Sequence, residues 1–141
     1  MAFEKNNYSV PVDTSRIVLG NRISVDLYSS VAEATAKAIH DEKKKKSAQI
    51  RRFYDELVMW HEKVRTVKPE ARQEKYDECA PYIQMICAKV AYAKGREHVN
   101  GNFEKVINCL IRQIKDPLTL QQAKLFFEAV IGFRKALETN K

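Results

Sequence analysis

An all-α fold, a compact antiparallel bundle of about five helices with an extended or mobile N-terminal arm, is predicted by three observations. The first is punctuation: 4 Gly and 4 Pro in 141 residues supply too few turns for a many-stranded sandwich or barrel, whereas the strong helix formers Ala, Lys, Glu, Leu and Gln abound. The second is period, because apolar residues recur at three- and four-residue steps through most of the chain. The third is size, since 141 residues with 45% hydrophobic and 30% charged side chains make one globular domain. No window reaches ~18 consecutive apolar residues, and Met1 to Val10 has neither a basic start nor an apolar run. A membrane span and a secretion signal are therefore not expected, and a cytoplasmic location is.

Residues 1–23 carry Asn6, Asn7, Ser9, Pro11, Asp13, Thr14 and Ser15 without a helical period, which reads as an arm set apart from a bundle domain at 24–141. Within the arm, Ile17, Val18 and Leu19 before Gly20-Asn21 leave two readings open: a small hairpin, or an apolar strip docked on this domain or a neighbour. A first helix is expected from Ser24 to about His40, with Leu27, Val31, Ala34 and Ala38 on one side and Tyr28, Ala32 and Ile39 flanking. Residues 41–46 then read as a solvated connection. A second helix runs from Ser47, its expected N-cap, to about Thr66 on the stripe Ile50, Phe53, Tyr54, Leu57, His61 and Val64.

The third helix starts in the first turn at Pro69, carries Tyr76, Cys79 and Ala80, kinks or restarts at Pro81, and continues to about Arg96 on Ile83, Ile86, Cys87, Val90 and Ala91. Gly95 marks its weak end. Asn100-Gly101 makes the next break, before a helix on Phe103, Val106, Ile107, Leu110, Ile111 and Ile114 that Asp116-Pro117 closes. The last helix is expected at Thr119, whose spacing to Gln122 is that of a capping box, with Ala123, Phe126, Phe127, Val130, Phe133 and Leu137 inward.

Catalytic arrangements are missing from this pattern. His40, His61 and His98 stand at no metal-binding spacing, and Cys79, Cys87 and Cys109 form no C-x-x-C. The thiols read as small buried or half-buried side chains in a reducing compartment. Phosphate-cradling and nucleophile-elbow motifs are absent too. Most acids stand four residues from a base, as in Arg51/Asp55, Arg52/Glu56 and Lys124/Glu128, which reads as surface pairing. No enzyme activity, no catalytic residue, no metal and no cofactor are expected.

The basic residues are more informative. Lys and Arg number 25 against 18 Asp and Glu, a net charge of +7 that favours a polyanionic partner. Lys43 to Lys46 with Arg51 and Arg52 put six cations into ten positions without an acid, either a solvated connection or a phosphate-gripping edge. Met85, Lys89, Tyr92 and Arg96 step by four, three and four residues along the face opposite the Ile83/Ile86/Val90 core. Such a stripe either packs with snorkelling cations or lies at a groove where cations hold phosphate and the ring stacks on a base. Lys105, Asn108 and Arg112 form a third polar stripe that reads as plain surface.

Three blocks in order carry a resemblance: Ser47-Ala48-Gln49-Ile50-Arg51-Arg52-Phe53-Tyr54, Lys89-Val90-Ala91-Tyr92-Ala93-Lys94-Gly95-Arg96, and Phe126-Phe127-Glu128-Ala129-Val130-Ile131-Gly132-Phe133-Arg134-Lys135. The stretch from about 47 to 139 resembles the small-subunit family of type III-A CRISPR effector (Csm) complexes, with Phe133 where tyrosine is common. The resemblance implies a non-catalytic helical bundle, present in several copies, that stacks as an inner filament beside the backbone subunits holding the guide RNA and helps seat the target RNA. Target cutting then belongs to the backbone subunits, and DNA cutting and cyclic-oligoadenylate synthesis to the large subunit. By position in the matching blocks, Arg51, Arg52, Lys89, Tyr92 and Arg96 are implied to face RNA, with Gln49 and Phe53 left to capping and packing.

The expected partners are single-stranded target RNA held by its backbone, the guide-bound backbone subunits, the large subunit and other copies of the chain, in antiviral defence. Sequence specificity would come from guide–target pairing. The alternative is a protein-interaction adaptor in which exposed Met59, Met85 and Tyr92 make protein contacts. A DNA-binding helix-turn-helix reading is disfavoured, because Asp55, Glu56 and Glu62 on the outer face of the second helix would repel phosphate.

Overall fold

A computed structural model describes the backbone at residues 11–40 and 44–139, and side chains at 11–40 and 47–138. Residues 1–10 lie outside the described residues. Residues 11–23 are extended and lie along the bundle. An extended backbone against protein needs partners for its N–H and C=O groups, and side-chain amides supply them. Asn102 Oδ1 accepts from Val12 N at 3.0 Å, and Gln113 Oε1 from Leu19 N at 2.8 Å. Gln113 Nε2 donates to the Ile17 carbonyl at 2.7 Å, and Gln122 takes both Gly20 N and Gly20 O at 2.8 Å. Ile17 is fully buried. Of the two readings left open for Ile17–Leu19, docking on the chain's own domain is therefore the one adopted, and no strand occurs among the described residues. Gly20 has φ +139°, a backbone that suits glycine.

The first helix departs from its expected register. Leu27–Val31 forms a π turn, with Val31 N donating to the Asp26 carbonyl at 3.1 Å, before α1, Ala32–Ile39. An i→i+5 turn adds one residue and rotates everything after it. Leu27, Val31, Ala32, Thr35, Ala36 and Ile39 are buried, while Ala34, expected in the core, is exposed.

Helix α2, Lys44–Arg65, starts before Ser47. Lys44–Lys46 thus open a helix rather than a loop, as their good helix propensity allows, and residues 41–43 are outside the described part. Ser47 is not a cap; its hydroxyl donates to Glu138 Oε2 at 2.6 Å. A 3₁₀ turn at Pro69–Ala71 leads into α3, Arg72–Gln84, which runs through Pro81. Pro81 stands on the exposed face, where water serves the carbonyl that proline leaves unpaired. The interruption falls instead at Met85, whose carbonyl accepts from both Ala88 N and Lys89 N, a tightened turn that divides α3 from α4, Ile86–Gly95. Past it Ala93 is buried and Ala91, expected inside, is exposed.

Helix α4 ends in a Schellman turn: His98 N donates to Ala93 O and Glu97 N to Lys94 O, with Glu97 at φ +62°. Asn100 caps α5, Gly101–Gln113, by accepting from Phe103 N at 2.8 Å. Helix α6, Pro117–Thr139, starts earlier than Thr119 because Asp116 Oδ1 accepts from Thr119 N at 2.8 Å and Pro117 fits the first turn. Gln122 is consequently free of capping and holds Gly20.

Helix α6 packs along α1 and α2, α2 on α3, and α4 on α5. Phe53, Phe103, Phe127 and Tyr54 form one ring cluster at centroid separations of 5.5–6.0 Å. That cluster fixes the inner side of α2, and with it the direction of the side chains on its outer side.

Candidate nucleic-acid interface

A groove of about 580 Å³ opens between α2 and α4. Its α2 wall is Gln49, Arg52, Phe53 and Glu56, its α4 wall Ala88, Lys89, Tyr92 and Ala93, and His98 of the Schellman turn closes one end. Phe53 belongs to the core ring cluster, so the groove has a rigid apolar floor. Its rim is charged.

Of the five residues singled out from sequence, Arg52, Lys89 and Tyr92 line this groove together. Arg96 joins them through Tyr92: its Cζ lies 5.7 Å from the ring centroid and its Nη1 donates to the Tyr92 hydroxyl at 3.0 Å. This cation–π contact orients both side chains at the groove's edge, where Tyr92 is 66% exposed. Arg51 does not reach the groove. Its Nε pairs with Asp55 Oδ1 at 3.1 Å and its guanidinium lies over the Tyr54 ring at 5.5 Å. Among the described residues Lys105 and Arg112 are exposed surface, as read.

The expected Arg52/Glu56 pair is absent. Glu56 turns across the groove to α4, where its carboxylate accepts from Lys89 Nζ at 2.9 and 3.2 Å, and it also accepts from Trp60 Nε1 at 3.3 Å. Arg52 makes no ion pair with any described residue and projects into solvent. A pairing rule confined to one helix misses a partner that only the tertiary fold supplies.

Four participants escaped the sequence reading: Glu56 as a bridge, His98, and the rings of Trp60 and Tyr82. Those rings stack at 5.8 Å with 14° between planes, and Tyr82 is 57% exposed. The signal for Tyr82 was present, because Tyr82, Met85, Lys89, Tyr92 and Arg96 continue one three-four stripe a step further back.

Elsewhere the chemistry is quiet. No group of three or more His, Cys, Asp or Glu side chains gathers among the described residues. Burial raises the thiol pKa of Cys79, Cys87 and Cys109. Burial likewise lowers His61, whose Nδ1 is buried without a partner. No described helix is long and apolar enough to cross a membrane.

The groove therefore combines guanidinium groups that can pair bidentately with phosphate, an exposed ring able to stack, and an apolar floor. A family model described as Csm2 Type III-A matches residues 23–140. The match takes in the π turn and α1, ahead of the blocks from residue 47 onward, and begins after the docked residues 12–20. No curated protein and no solved structure matches the chain.

Proposed function

The chain belongs to the Csm2 type III-A family, the small subunit of a multi-subunit CRISPR complex, and from that premise we propose that it binds the backbone of single-stranded target RNA along the α2/α4 groove. Arg52 and Arg96 grip phosphate, Tyr92 offers its ring to a base or sugar, and Lys89 stands between them. Guide–target pairing supplies sequence specificity, so a subunit of this kind needs no base-reading contacts. Several copies stack as an inner filament beside the guide-bound backbone subunits and the large subunit, in the cytoplasm and without catalysis of their own. The observation that carries the reading is the convergence of Arg52, Lys89, Tyr92 and Arg96, from two helices, on one open groove.

Arg51 is removed from the binding set in this proposal, since Asp55 and Tyr54 occupy it. The adaptor alternative keeps one specific support: Met59, Met85 and Tyr92, the side chains it relies on, are all exposed. Ultraviolet cross-linking of RNA in the complex purified through a tagged copy separates the two. Adducts on Tyr92 are expected. Co-purifying RNA whose adducts all fall on other subunits would instead favour the adaptor.

A further inference from the structure

We infer that Glu56 is a built-in anionic competitor that sets how tightly the groove holds a polyanion, an inference that rests on the RNA reading above. Its carboxylate stands where a phosphate would. Both oxygens accept from Lys89 Nζ, at 2.9 and 3.2 Å, and the Glu56 side chain is 19% exposed against 45% for Lys89. A half-shielded pair of this kind is screened less than the surface pairs Arg51–Asp55 and Arg65–Glu62, whose members are all about half exposed or more. An incoming phosphate must therefore draw Lys89 off Glu56 and sit beside an uncompensated carboxylate.

The consequence is discrimination by valence. A lone phosphate or a mononucleotide gains one contact and meets the carboxylate's repulsion in full. A strand that engages Arg52 and Arg96 at the same time as Lys89 offsets the same repulsion with contacts on either side of it. Glu56 thus favours multi-phosphate single strands over free nucleotides and other small anions. Trp60, the only tryptophan of the chain, donates to the same carboxylate at 3.3 Å, so its emission reports on the Glu56–Lys89 bridge.

The test uses the full chain and a labelled uridine 20-mer followed by anisotropy, with uridine monophosphate measured by its competition against the 20-mer. Glu56→Gln keeps the shape and removes the charge. It should tighten 20-mer binding about five- to twenty-fold, steepen its salt dependence, and make binding of the mononucleotide detectable. Glu56→Met serves as a second charge-removing variant if the glutamine form does not fold by circular dichroism. Unchanged or weaker binding by the charge-removed variant, with Arg52→Ala plus Arg96→Ala still losing affinity, would overturn the competitor role and leave the RNA site standing. If neither change alters binding, the RNA reading falls and the competitor role with it.

Discussion

Two faces of this bundle are treated in opposite ways. The α5/α6 face is closed by the chain's own residues 12–20, held by the amides of Asn102, Gln113 and Gln122 and by the buried Ile17. The α2/α4 face stays open, with Arg52, Lys89, Tyr92 and Arg96 around a groove. Neutral amides carry a donor and an acceptor at fixed spacing, which suits a peptide backbone that never leaves. Cations that keep much of their water suit a partner that arrives as a polyanion and departs with salt. The difference teaches that the polar residues of the closed face are spent on the chain's own backbone, whereas those of the open face pair with one another at an exposed rim.

The largest effects should come from unsealing the closed face. Ile17→Ala is expected to cost about 2–4 kcal/mol in denaturant unfolding, from lost burial and the cavity left behind. Gln122→Ala, which orphans Gly20 N–H and C=O, should cost about 1–3 kcal/mol. Trypsin should spare Arg16 and Arg22 in the parent and cut there in Ile17→Ala; equal cutting in both would mean that the docked segment does not hold in solution.

A smaller change of opposite sign is expected at the end of α4. Glu97 adopts φ +62° at the position where a Schellman turn favours glycine, so Glu97→Gly should stabilise by about 1 kcal/mol. A melting temperature that falls would show that the glutamate side chain contributes more than its backbone strain costs.

Acid should have the smallest effect. Burial pushes Asp116 up, but the two hydrogen bonds from Thr119 outweigh it and leave its pKa below the ordinary 3.8. The Ser47 hydroxyl lowers Glu138 below 4.5 in the same way. For carboxyl groups with depressed folded values, the added stability is present above the ordinary values and is lost as pH falls through the folded ones. Together they should contribute under about 1 kcal/mol, given their partial exposure to solvent. The cost of Asp116→Asn should shrink from pH 7 to pH 3; a cost independent of pH would show that the cap is not ionic.

Helix identity was legible because apolar period survives tertiary context: Ile50, Leu57 and Val64 on α2, and Phe103, Val106, Ile107, Leu110 and Ile111 on α5, are buried as their spacing demands. Register failed where the backbone inserts a residue, in the π turn at Leu27–Val31, since no proline or glycine announces it; across Met85 it held, with Ile83, Ile86 and Val90 buried and only Ala91 misplaced. Pro81, the visible breaker, breaks nothing. Of the site, Lys89, Tyr92 and Arg96 were readable as one helical stripe. The pairing of Glu56 with Lys89 rather than Arg52 was not, because it joins residues 33 apart in the chain and depends on how their two helices face each other. The same limit left the hairpin and docked readings of Ile17–Leu19 open, because the choice depends on Gln113 of α5 and Gln122 of α6 meeting that backbone.

The most direct test of the open groove as the RNA-binding face is a salt series with single-stranded RNA, comparing Arg52→Ala plus Arg96→Ala with alanine at Lys43 to Lys46. The lysine run immediately precedes Ser47 in the sequence, and each long lysine side chain loses rotamer freedom when it closes on a phosphate. Arg96 is oriented by Tyr92 before any strand arrives. The groove variant should lose about 1–3 kcal/mol of binding at physiological salt and flatten the salt dependence by the equivalent of about two phosphate contacts, with the lysine variant losing less. A larger loss in the lysine variant, with both proteins folded by circular dichroism, would contradict the groove assignment.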